Sequence, residues 1–163
     1  MGVRIFTTPS RLPPLLQLIQ MTRIDFYILA AGGDDRAPFA CRLAEKAYTR
    51  GHRIYIHVAD AAAAKRLDDL LWTFSDGSFL PHAVVDGGDP DPDTPVHIGF
   101  GPEPVGQDVL INLADETPLF FSRFERVAEL VGGDEASRAL ARERYRFYRD
   151  RGYPLESHTI GSE

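Results

Sequence analysis

The chain has 163 residues, 44% of them hydrophobic and 26% charged, with a formal net charge of −6. That size and apolar content suit one soluble globular domain with a substantial core. They exclude a membrane span, which needs an apolar run of roughly 18–20 residues, and the lone Cys41 excludes both a disulfide framework and a cysteine-rich zinc site.

Residues 1–20 carry two arginines and no acid, and Pro13-Pro14 interrupts their short apolar stretch. They read as a flexible N-terminal extension outside the native domain rather than a targeting peptide, because no small-residue cleavage site follows the brief apolar core. The domain is expected to span 21–163. Residues 24–29 alternate and are aromatic-rich, as a strand requires. After a turn at 30–33, Asp34 or Asp35 caps a helix that runs to Arg50, with Phe39, Leu43 and Ala47 on its inner stripe and Gly51 as its stop. A second strand follows at 52–58. Asp60 then caps an amphipathic helix to residue 74, in which Leu67, Leu70, Leu71 and Phe74 face inward.

Residues 78–85 form a short strand or extended connection, and the Gly/Pro-rich segment 86–95 is a loop. Segments 96–100 and 108–113 read as buried strands. Residues 120–131, FFSRFERVAELV, are expected to be helical, and Gly132-Gly133 ends that helix. Asp134 caps the last one. The order β-α-β-α-β-β-α-α predicts an α/β fold: a single three-layer domain with a mainly parallel central sheet flanked by helices, as in nucleotide-binding folds.

Few residues carry a catalytic pattern. The turn at 30–33 lies where a nucleotide-binding loop would be, but it lacks both GxGxxG and a GK[ST] ending, and Asp34-Asp35 would repel phosphate. Asp86, Asp89, Asp91 and Asp93 do not follow the spacing of a calcium loop. No histidine pair has HxxxH spacing. No serine sits in a G-x-S-x-G turn. The sequence therefore predicts no catalytic residue, metal or cofactor. Trp72 and Phe79 fit either of two roles, rings tucked under a neighbouring loop or anchors of a docking surface.

The informative stretch is 134–152, where six arginines face four acids in a protein that is otherwise acidic. At about 100° per residue on a helix, Arg138, Arg142, Tyr145 and Arg149 fall within a sector of roughly 60°, while Leu140 and Phe147 point inward. Three guanidinium groups beside an aromatic ring make a strip for an acidic partner. Direct stacking of single-stranded DNA on Tyr145 and Tyr148 is disfavoured by the acidic remainder of the chain.

The segments MTRIDFYIL, YTRGHRIYI, RLDDLLWTFSDGSFLPH, DVLINLADETPLFFSRFERVAELV and RERYRFYRDRGYPL, taken in order, resemble the chi subunit family of the bacterial DNA polymerase III holoenzyme. The resemblance runs from about Met21 to Ile160. It implies a cytoplasmic, non-catalytic subunit of a DNA-directed DNA polymerase, which links the clamp loader to single-stranded DNA-binding protein by holding that protein's acidic, phenylalanine-ended C-terminal tail. It maps tail binding onto Arg138, Arg142 and Tyr145, with Val131 at the pocket wall and Arg149 from the strip beside them. It also maps a second surface, for the psi subunit or another clamp-loader or helicase partner, onto Trp72 and Phe79, and makes contact with DNA mainly indirect. A nucleotide-dependent enzyme of α/β fold is the competing reading.

Overall fold

Seven parallel strands form one sheet in the computed structural model, which describes residues 21–30, 36–74, 79–86, 91–101 and 108–160. The elements in chain order are β1 (Arg23–Leu29), α1 (Arg36–Thr49), β2 (Ile54–His57), α2 (Ala61–Thr73), β3 (His82–Val85), β4 (Val96–Gly99), β5 (Val109–Asn112), β6 (Arg126–Val131), α3 (Glu135–Asp150) and β7 (Leu155–Ile160). The strand order across the sheet is β3-β4-β2-β5-β6-β1-β7. The expected α/β class and parallel sheet are what the chain adopts. The expected extension, the turn at 31–33 and the acids at 34–35 lie outside the described residues.

Alternation along each strand divides the apolar side chains into two cores. On one face, α1 and α2 pack over Ile54, Ile56, Ile98, Ile111, Ala128 and Leu130. On the other, α3 packs over Ile24, Phe26, Leu110, Val127 and Val131. The chain travels from β1 through α1 to β2 in one direction across the sheet, and from β6 through α3 to β7 in the other. Crossovers of a single hand then place their helices on opposite faces, so α3 has one side of the sheet among the described helices.

Local chemistry sets the ends of these helices. The carboxylate of Asp60 accepts from the Ala63 amide at 2.9 Å and that of Asp134 from the Ser137 amide at 3.0 Å, as the sequence suggests. Gly51 and Gly152 follow α1 and α3 with φ of +87° and +82°, a backbone region that favours glycine.

Four expectations are corrected. Residues 120–131 are not a helix: Phe121–Arg123 form one 3-10 turn, and Arg126–Val131 form β6, in register between β5 and β1. A central strand buried on both faces carries apolar residues at nearly every position, and such a run imitates a buried helix. The C-terminal strand β7 was not expected; it adds a parallel edge beside β1. In α1 the fully buried seam is Ala40, Cys41 and Ala44, with Phe39, Leu43 and Ala47 only partly covered. Small residues let this helix lie close to the sheet, and the large ones fill its flanks.

The fourth correction concerns α3. Leu140 is 41% exposed, and the inward line is Ala141, Arg144 and Tyr148. A charged residue holds the central inward position because the sheet offers it a buried partner, described below. Tyr148 is fully buried and offers no stacking face to DNA.

Candidate functional site

Helix α3 owes its rotation to a buried polar network. Glu129 of β6 is fully covered, and three donors converge on its carboxylate: Asn112 Nδ2 at 2.9 Å, Arg144 Nε at 2.8 Å and the Tyr148 hydroxyl at 2.6 Å. Arg144 also donates to the Asp115 carbonyl at 2.8 Å, and Asn112 to that of Glu116 at 3.2 Å. Burial pushes the Glu129 carboxyl up, while the Arg144 charge and the hydrogen bonds oppose it. Burial and Glu129 together push the Tyr148 phenol up, so it stays a donor. With Arg144 and Tyr148 locked to the sheet, the neighbouring turns of α3 face the sheet's β1–β7 end.

A depression of about 230 Å³ opens there, lined by Phe26, Ile28, Val131, Arg138, Ala141, Arg142, Tyr145 and Ser157. Four of the five residues expected at a tail pocket line it, and the structure thus brings Val131 from β6 together with three residues of α3. The floor is apolar. Tyr145 lies 5.4 Å from the Phe26 ring, which holds its ring at the edge of the core. The β6–α3 connection is tight at Gly132, where a Cβ would come within 3.1 Å of Ser137 Oγ and 3.2 Å of Asp134 Oδ1.

The arginines of α3 differ in what they already hold. Among the described residues, Arg138 Nε is buried without a hydrogen-bond partner, and its Nη2 makes a long contact of 3.5 Å with the Leu29 carbonyl. Arg142 Nη2 lies 2.7 Å from Glu135 Oε2 at the surface. Arg146 pairs with Glu143, and Arg149 with Asp150 at 3.0 Å. Arg149 does not line the depression. Arg151 donates to the Phe147 carbonyl and covers the Phe147 ring at 3.6 Å. An unsatisfied buried guanidinium N–H is costly, and a carboxylate is its best complement.

Trp72 and Phe79 stand elsewhere, on the α1–α2 side of the sheet near the β3 edge. They are 56% and 66% exposed, with ring centroids 5.8 Å apart. The Trp72 ring also packs 4.6 Å from that of His82, whose Nδ1 lies 2.6 Å from the Leu80 carbonyl.

Other clusters are explained by their partners. Asp25, Glu156 and His158 offer ligand atoms within 4.8 Å of one another. Guanidinium groups already neutralise both acids, Arg126 at 2.9 Å from Asp25 and Arg23 at 3.0 Å from Glu156. At the carboxyl ends of β2, β4 and β5, where α/β folds take nucleotides, a depression of about 540 Å³ includes His57, Phe100, Asp115 and Glu116. Burial holds the His57 pKa down, so the described lining offers carboxylates and a neutral imidazole, the wrong charge for phosphates. Asp91 is consumed by its own turn, accepting from the Asp93 amide and the Thr94 hydroxyl. Cys41 is fully covered, and burial pushes its thiol up to about 12, which leaves it unreactive.

Comparison with known proteins gives the chain its family. Residues 21–156 match the protein family described as DNA polymerase III chi subunit, HolC. The chain is 46% identical over 143 residues to the DNA polymerase III subunit chi of Pseudomonas aeruginosa, covering 86% of this chain and 98% of that protein. It is 33% identical over 121 residues to the Escherichia coli subunit chi, covering 73% and 82%, and 32% identical over 124 residues to that of Haemophilus influenzae, covering 75% and 85%. The chain belongs to the DNA polymerase III chi subunit family.

Proposed function

We propose that this member of the chi family is a non-catalytic accessory subunit that holds the acidic C-terminal tail of single-stranded DNA-binding protein and so links it to the clamp loader. The depression on α3 carries this reading: an apolar floor with two guanidinium groups at its rim, one of them with a buried, unpartnered Nε–H. A cavity of roughly 150 Å³ is enough to hold benzene, so the volume here accommodates a terminal phenyl ring. Burying that ring against Phe26, Val131 and Tyr145 contributes about 1.5–3 kcal/mol. The adjoining carboxylate answers the open donor of Arg138, Arg142 adds a second cation, and Arg149 attracts the acids that precede the terminal residue.

Trp72 and Phe79 serve the second contact, to the psi subunit or another clamp-loader or helicase partner. DNA is reached mainly through the tail's owner. This subunit works in the cytoplasm. No helix among the described residues is long and apolar enough to cross a membrane.

Capture from native lysate tests the division of labour. Arg142→Ala should lose single-stranded DNA-binding protein and keep the second partner, whereas Trp72→Ala should do the reverse. Retention of both proteins by both variants would show that neither surface has the assigned role.

A further inference from the structure

The two rim arginines are not equivalent. Arg138 has an open, buried donor, but the exposed Arg142 is already engaged by Glu135 at 2.7 Å. Glu135 stands in the first turn of α3, seven residues before Arg142, and does not itself line the depression. Its carboxylate reaches along the helix past Arg138 to hold the second guanidinium. Other acids near the helix are spoken for: Glu143 pairs with Arg146 and Asp150 with Arg149.

We infer that Glu135 is a built-in competitor for the ligand's carboxylates, a residue that sets how tightly the pocket holds an acidic tail. This inference rests on the reading of the depression as the tail pocket. An incoming carboxylate binds Arg138 without displacing anything, but it takes Arg142 only by parting it from Glu135. Neutral ligands have nothing to offer in exchange. Glu135 also adds a negative charge beside a site meant for acids, which weakens every acidic ligand at low ionic strength. Both effects have the same sign: the pocket is held below its full affinity, as suits a contact that must be made and released repeatedly.

Calorimetric titration of the full chain with an acidic peptide ending in phenylalanine tests this. Glu135→Gln keeps the side-chain shape and should tighten binding roughly threefold to fivefold at low salt, the scale expected of an exposed ion pair. The gain should shrink as salt rises. In an Arg142→Ala background the gain should fall to the part due to the Glu135 charge alone, less than about twofold, since the competition for Arg142 no longer exists. Unchanged binding by Glu135→Gln would overturn the inference, and weakened binding would overturn it in favour of a Glu135 that positions Arg142. A wild-type chain that fails to bind the peptide at all would overturn the pocket reading itself and the inference with it, an outcome distinct from the other two.

Discussion

Asp25 shows how much one side chain can tie together. It lies almost fully buried in β1 and takes hydrogen bonds from Arg126 of β6 and His158 of β7, at 2.9 and 3.1 Å. Burial pushes its carboxyl up, but the hydrogen bonds from Arg126 and His158 and the charges of Arg126 and Arg23 outweigh that, and its pKa falls below the ordinary 3.8. A carboxyl with a depressed folded-state pKa contributes stability above its unfolded value and loses it as pH falls through the folded one. Wild type should therefore be more stable than Asp25→Asn at neutral pH, and the gap should close below about pH 4. Denaturant midpoints measured across that range decide it; a gap that stays constant down to about pH 2 would mean that Asp25 stabilises by packing alone. The sequence shows Asp25 only as an acid in a strand. Its partners stand about a hundred residues and more away, at positions 126 and 158, and only the sheet order brings them together.

At the scale of elements, α3 was the most legible and β6 the least. The arc of Arg138, Arg142 and Tyr145 followed from helical spacing alone, because an exposed rim tolerates charge and a helix fixes its direction. The inward side of the same helix did not follow. Arg144 belongs to the core because Glu129 waits for it there, and a charge that is buried with its partner looks, in sequence, like one that faces water. Glu129 was hidden for a related reason: it sits in a run read as helical that is in fact a two-faced central strand. Strand β7 was missed because its short polar alternation, LESHTI, belongs to a sheet edge with little apolar signature. The Glu129 network gives the element-scale prediction. Glu129→Ala leaves Arg144 buried without its counter-charge and should cost about 3–5 kcal/mol, read from urea denaturation. A loss below about 1 kcal/mol would show that water or a shifted Asp115 loop satisfies Arg144 instead.

Across the whole molecule the two aromatic surfaces are separated by the sheet itself. Trp72 and Phe79 stand on the side of α1 and α2, near the β3 edge; the depression lies under α3 toward the β7 edge, on the opposite face. Under the function proposed above, these two surfaces would make the domain a connector. The α/β class was legible because helices and strands alternate with the right periods. The separation of the two surfaces was not, since it depends on crossover direction and strand order.

In the proposed function the α3 depression reads a terminal carboxylate beside a phenyl ring. It is tested most directly by titrating the wild-type chain with one acidic peptide ending in phenylalanine, prepared both as the free acid and as the C-terminal amide. The free acid should bind in the micromolar range, about −8 kcal/mol, and the amide at least tenfold more weakly, because the amide leaves the buried Arg138 donor without its anion. Equal affinity for the two forms would contradict it.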